Sequence, residues 1–225
     1  MPQHLGLILD GNRRWAKANG LPQLEGHRKG YENLKTIGKA AIKRGVKYIS
    51  AYVFSTENWQ RSQEEVNYLM KLLLWVAKHE VNELHKEGIK VRFAGSKDKL
   101  STKVIQAMKD AETKTKENNR GELILCLNYG GQQEIADAVK GIVGQGIKPT
   151  QITPATIAQH LYLPDVPPID LIIRTSGEQR LSNFMLWRSA YSEFLFVDKH
   201  WPAFSEEDLD SALADYSKRL RRFGR

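Results

Sequence analysis

An aspartate, a glycine, an asparagine and two arginines (Asp10, Gly11, Asn12, Arg13, Arg14) follow directly on the apolar run LGLIL of residues 5–9. These residue types suit phosphate chemistry. Arginine forks clamp phosphate oxygens, glycine lets backbone amides approach closely, and a helix opening there attracts anions. A carboxylate repels phosphate unless a divalent cation lies between them, and Mg²⁺ commonly binds through one or two carboxylates plus phosphate oxygens. An N-capping aspartate beside solvated arginines accounts for the segment equally well.

Two further clusters follow apolar runs. In FSTENWQR (54–61), Ser55, Thr56, Glu57 and Asn58 supply donors and acceptors, Trp59 a flat apolar face and Arg61 a cation. In IIRTSGEQRLSNFMLWRSAYSEF (172–194), Arg174 and Arg180 stand near Ser176, Ser182 and Asn183. Two arginines and a hydroxyl suit one diphosphate, and Glu193 reads as a metal-associated or a structural carboxylate. A polar loop with surface ion pairs is the plainer reading of each cluster, and three of one character weaken it.

The elements that must carry these clusters are legible in the hydropathy. Six short apolar runs (5–9, 48–54, 89–95, 122–128, 169–174, 193–197) are strand-like in length and composition. They alternate with helical segments near 26–44, 63–87, 101–118, 131–143, 153–161 and 205–222. This predicts an α/β fold, one domain over 1–225, with a mostly parallel sheet of about six strands flanked by helices. Ligands in such sheets bind beyond the carboxyl ends of strands. Ser62 with Glu65 has capping-box spacing, Ser205 precedes three acids, and Gly45 and Gly88 suit helix ends. Val66, Leu69, Met70, Leu73, Leu74, Val76, Ala77 and Val81 form a wide apolar stripe, read as core packing or as the wall of a hydrophobic tunnel.

The chain is 225 residues, 41% hydrophobic and 27% charged, with a formal net charge of +8, a balance that favours anionic partners. The single cysteine, Cys126, lies in an apolar run and reads as a small core residue in a reducing compartment. A secretory leader and a membrane span are not expected. GxxxxGK[ST], GxGxxG, HExxH, paired CxxC, GxSxG and DDxxD are missing, and no nucleic-acid-binding signature stands out.

Taken together, DGNRRW (10–15), GHRKG (26–30), FSTENWQR (54–61), NYGG (128–131) and RTSGEQRLSNFMLWRSAYSE (174–193) closely resemble the cis-prenyltransferase family, undecaprenyl diphosphate synthase type. The resemblance runs from about residue 4 to about residue 215. It implies that fold with its hydrophobic tunnel, and Mg²⁺-dependent condensation of isopentenyl diphosphate with an allylic diphosphate such as farnesyl diphosphate. The product would be a long-chain cis-polyprenyl diphosphate such as undecaprenyl diphosphate, a lipid-carrier precursor for cell-wall glycan. A short-chain or irregular condensing enzyme is the alternative.

By the same resemblance, Asp10 would hold the Mg²⁺, and Gly11, Asn12, Arg13 and Arg14 would cradle the allylic diphosphate, with Trp15 and His27 close by. Ser55, Thr56, Glu57, Trp59 and Arg61 match a conserved substrate loop, in which Asn58 has the position of proton acceptor. Arg174, Arg180, Leu181 and Ser182 match the isopentenyl diphosphate site, and Glu193 a second metal-associated carboxylate near a partner subunit. A homodimer is implied, cytoplasmic, with transient contact at the inner membrane surface for product release. The basic stretch KRLRR (218–222) reads as a solvated helix end or as a contact with an anionic membrane. No nucleic-acid partner is expected. Gln23 stands where the family commonly has an arginine that contacts the allylic diphosphate; Ser62 and Gln132 also depart from its usual proline and arginine.

Overall fold

In the computed structural model, which describes residues 1–219, all six apolar runs are strands of one sheet. They are β1 (His4–Ile8), β2 (Tyr48–Ser55), β3 (Ile89–Ala94), β4 (Gly121–Tyr129), β5 (Leu171–Thr175) and β6 (Glu193–Val197). Their order is β3-β4-β2-β1-β5-β6, and every pairing is parallel. Parallel neighbours need long crossovers, and helices supply them. These are α1 (Asn12–Ala18), α2 (Gln23–Lys43), α3 (Gln63–His79), α4 (Val81–Lys86), α5 (Thr102–Thr115), α6 (Gly131–Gly144), α7 (Pro154–His160) and α8 (Glu206–Lys218).

Strand periodicity divides the core. Leu5, Leu7, Leu123, Leu125, Leu127, Leu171 and Ile173 face one layer, which also holds Leu34, Ile37, Val104 and Leu213. Ile8, Ile124, Cys126 and Ile172 point the other way, toward Val166, Phe184 and Met185. Both faces are covered, so these strands read as continuous apolar runs rather than alternating ones. Cys126 is a fully buried core residue.

Two helix boundaries differ from the sequence reading. The segment expected as one helix over 63–87 breaks at Glu80, which ends α3 and precedes α4. No glycine or proline marks the break; Glu80 instead accepts a 2.9 Å hydrogen bond from Nζ of Lys35 on α2. α2 begins at Gln23 rather than near 26, after Pro22. Of the stretch 218–222, only Lys218 and Arg219 fall within the described residues. The caps at Ser62 and Ser205 form, and Gly45 and Gly88 take φ of 101° and 68°.

Candidate active site

The loops after β1, β2 and β5 meet at the carboxyl end of the sheet. Register dictates the first meeting, because Ile8 pairs with Arg174 and brings Asp10 beside it. Asp10 Oδ2 accepts from Arg174 Nη2 at 2.8 Å, and its Oδ1 accepts from Arg14 Nη2 at 3.0 Å. Burial pushes the Asp10 carboxyl up, but the Arg174 and Arg14 guanidiniums outweigh it and hold the group below its usual value. Arg14 Nη1 also donates to Glu178 at 3.0 Å, and Arg180 donates to the other Glu178 oxygen at 2.6 Å. A chain of alternating charge thus runs from buried Arg174 out to exposed Arg180.

Gly11 is required at the turn between β1 and α1. Its φ is 98°, and a Cβ there would lie 2.0 Å from Ser176 Oγ. The Asp10 carbonyl is fixed by Thr175 Oγ1 at 2.7 Å and by the Trp201 amide at 2.9 Å. α1 then packs on two glycines of α2. A Cβ on Gly26 would lie 2.1 Å from the Asn12 carbonyl oxygen, and one on Gly30 would lie 2.4 Å from Asn12 Oδ1. Asn12 Oδ1 is buried at the cavity edge without a hydrogen-bond partner.

A second cluster centres on Glu65, whose side chain is buried. Its carboxylate accepts from Arg61 at 2.8 Å, His27 Nε2 at 3.0 Å and Arg13 at 3.3 Å. Burial raises the Glu65 carboxyl, yet Arg61, His27 and Arg13 bring it below its usual value. Burial lowers the His27 ring more strongly than Glu65 restores it, so the imidazole stays below its ordinary value and is neutral at pH 7. Donation from Nε2 to the carboxylate assigns the Nε2–H tautomer.

The third meeting joins the loop after β2 to that after β5. Ser55 and Asn58 cap the short 3₁₀ turn Thr56–Gln60, with Asn58 Oδ1 accepting from the Ser55 amide at 3.1 Å. Glu57 accepts from Asn183 Nδ2 at 3.0 Å, and Asn183 Oδ1 accepts from the Gln132 amide at 2.9 Å. Gly130 lies where a Cβ would reach Thr56 Oγ1 at 2.7 Å. Ser182 and Asn183 take φ of 47° and 67°, and Ser182 Oγ accepts from Arg174 at 2.8 Å. Leu181 packs partly into the opposite core layer and anchors that loop. Ser176 turns instead to His200 Nδ1 at 2.7 Å.

Under these loops lies a cavity of about 430 Å³. Its mouth carries Asp10, Asn12, Arg13, Arg14, His27, Asn58, Arg61 and Arg180. Its interior is lined by Leu34 of α2, Leu69, Met70, Leu73 and Val76 of α3, Leu84 of α4, and Leu123, Leu125 and Leu127 of β4. The α3 stripe therefore is a cavity wall on one side, as the tunnel reading expected. The arrangement can hold a group that is anionic at one end and hydrocarbon along its length.

Glu193, Trp59, Trp15 and Gln23 stand outside the cavity lining. Glu193 begins β6, and the register Leu5–Leu171–Glu193 sets it at the amino end of the sheet, the edge opposite Asp10. Five residues of strand rise separate the two levels, roughly 15 Å. Glu193 Oε2 is held there by Arg219 at 2.9 Å, so Glu193 cannot share a metal with Asp10 of the same chain. Trp59 packs its ring on Phe54 and donates to Asn128 Oδ1 at 2.7 Å, outside the cavity lining. Trp15 and the exposed Gln23 also stand outside that lining. Sequence reasoning used Glu65 only as a cap partner and passed over Glu178. Glu65 stands four residues after Arg61, and Glu178 stands between Arg174 and Arg180, which are the signals that could have found them.

The family model described as "Putative undecaprenyl diphosphate synthase" matches residues 8–224. An isoprenyl transferase of Thermotoga maritima is 50% identical over all of this chain and 97% of its own length. A trans,polycis-polyprenyl diphosphate synthase ((2Z,6E)-farnesyl diphosphate specific) of Thermobifida fusca is 46% identical over all of this chain and 81% of its own length. Lavandulyl diphosphate synthase from Lavandula x intermedia, solved with dimethylallyl diphosphate, superposes with a TM-score of 0.94 at 38% identity, covering 100% of this chain and 98% of that one. Sheet order, the arginine-lined mouth and these likenesses agree: the chain belongs to the undecaprenyl diphosphate synthase family and is a cis-prenyl diphosphate synthase, a transferase of prenyl groups.

Proposed function

We propose that the chain condenses isopentenyl diphosphate repeatedly with an allylic diphosphate, in the presence of Mg²⁺, to give a long-chain cis-polyprenyl diphosphate. The observation that carries this reading is the continuity of one cavity from a cationic mouth to an apolar interior. The allylic diphosphate lies on the α1 amides, between Arg13, Arg14 and Arg61, with its hydrocarbon along α3. Isopentenyl diphosphate is taken by Arg180 and Ser182, with Arg174 beneath them. Guanidiniums and amides fixed in advance stabilise the charge that develops on the leaving diphosphate.

Among the described residues no three His, Cys, Asp or Glu side chains form a protein cage for a metal. The donor set still fits Mg²⁺, since a hard carboxylate at the mouth, Asp10, can share the ion with phosphate oxygens, and Asn12 Oδ1 is an unpartnered oxygen nearby. When bound, Mg²⁺ neutralises diphosphate charge. Asn58, with Oδ1 engaged by the Ser55 amide, is a weak base; its part is to orient the reacting group, and a diphosphate oxygen takes the proton.

The reading includes a homodimer, supported by edge strand β6, whose five half-buried residues include stacked Phe194 and Phe196. It also includes product delivery at the inner membrane surface; no helix among the described residues is long and apolar enough to cross a membrane. Irregular or short-chain condensation is the second reading, favoured by the likeness to lavandulyl diphosphate synthase. Incubation with farnesyl or dimethylallyl diphosphate and labelled isopentenyl diphosphate, with Mg²⁺ or with chelator, followed by mass analysis, tests both. A ladder of long products is expected; products that stop after one condensation overturn elongation, and undiminished yield in chelator overturns the metal.

A further inference from the structure

α3 carries apolar side chains on two sides. Leu73 and Val76 line the cavity, whereas Leu74 and Ala77 open on a separate groove of about 610 Å³ shared with α4 and α5. That groove has an apolar floor and a basic rim of Lys78, Lys103 and Lys114, with Asp110 its one acid among the described residues. Beside it stands Trp75, 47% exposed, its ring stacked on His79 at 5.2 Å. No other tryptophan among the described residues is exposed. Lys71, Trp75 and Lys78 follow one another at i, i+4 and i+7, on one face of the helix. Lys71, Lys78 and Lys103 form no ion pair among the described residues, and Lys114 donates to Asn82 Oδ1.

We propose that this face of α3 and α5 docks on the headgroup layer of an anionic phospholipid bilayer. Charge complementarity names the occupant. Unpaired lysines around an exposed tryptophan meet a negative surface, the indole sits at the headgroup level, and the lysine stems reach along the apolar floor. α3 is then one helix thick between the bilayer and the cavity, so the apolar chain and the membrane lie on its two sides. The purpose of the contact rests on the elongation reading; the contact itself does not.

The test uses the purified full chain and vesicles of phosphatidylcholine with or without phosphatidylglycerol. Sedimentation is expected only with the anionic vesicles, weakening as salt rises. The combined variant Lys71→Gln, Lys78→Gln, Lys103→Gln is expected to lower the partition coefficient by roughly 100-fold, at about fivefold per lysine. Brominated lipid should quench fluorescence of the wild-type chain, and Trp75→Phe should remove that quenching. Equal binding to both vesicles, binding retained by the triple variant, or unchanged quenching in Trp75→Phe overturns the proposal. So does loss of binding in Arg221→Gln, Arg222→Gln alone, or a variant that changes oligomeric mass instead of vesicle binding. Condensation without vesicles, assayed in parallel, separates failure of this contact from failure of the elongation reading.

Discussion

Asp10 Oδ2 and Arg174 Nη2 lie 2.8 Å apart although 164 residues separate them in the chain. The pair is unequal, with the arginine side chain 4% exposed and the aspartate 28%. Arg174 therefore depends on Asp10 as its counter-ion, while Asp10 keeps one side open to the mouth. One carboxylate pairs with the buried arginine below and faces the cavity mouth above.

Asp10→Asn keeps the shape and removes the charge. Folding should survive with a loss of about 1–3 kcal/mol, because buried Arg174 loses its anionic partner. Condensation should fall by roughly 10³-fold, the scale set by removing one preorganised electrostatic group. Denaturant unfolding and incorporation of labelled isopentenyl diphosphate measure the two; a wild-type rate would end the assignment.

Glu65→Gln addresses the second cluster. The carboxylate holds Arg13, His27 and Arg61 at once, and the amide cannot accept from all three with equal strength. KM for the allylic diphosphate should rise about tenfold, a change of ~1.4 kcal/mol, with kcat less affected. An unchanged KM would show that the three cations hold position unaided.

Leu73→Trp places a larger side chain on the cavity wall. Products should become shorter while the first condensation keeps its rate, since the mouth is untouched. Chromatography of the chain-length distribution decides it, and an unchanged distribution would remove α3 from the path of the growing chain.

The pH response of stability should carry a His4 signature. His4 is fully buried, Nδ1 donating to the Pro167 carbonyl and Nε2 accepting from Ser50 Oγ, both at 2.8 Å. Burial lowers its pKa from 6.5 to about 4. Below 6.5 the unfolded chain takes the proton first, so stability held at neutral pH declines as pH falls toward about 4. The full loss is about 3 kcal/mol. Urea unfolding of wild type and His4→Asn across that range tests it; parallel curves would remove His4 as the cause.

The strands were legible because a parallel strand buried on both faces is apolar without alternation, and Leu123 to Leu127 show it plainly. The loops after β1, β2 and β5 were legible because each follows such a run. Glu193 stands apart from Asp10 of the same chain for a reason the sequence itself holds: it opens its strand, and in a parallel sheet that sets it at the edge away from Asp10. The break at Glu80 was hidden, since no glycine or proline marks it in the sequence. Glu65 was half legible. Its amide takes the Ser62 cap, but its carboxylate meets His27 only once α2 and α3 are packed.

The leucine-lined cavity is a portion of core that the chain leaves for something else to complete. Hydrocarbon entering it gains about 0.8 kcal/mol for each CH₂ removed from water. On the elongation reading, a prenyl chain growing there is gripped harder with every unit until the space is filled. Processivity then needs no clamp or lid; it follows from side chains that are missing.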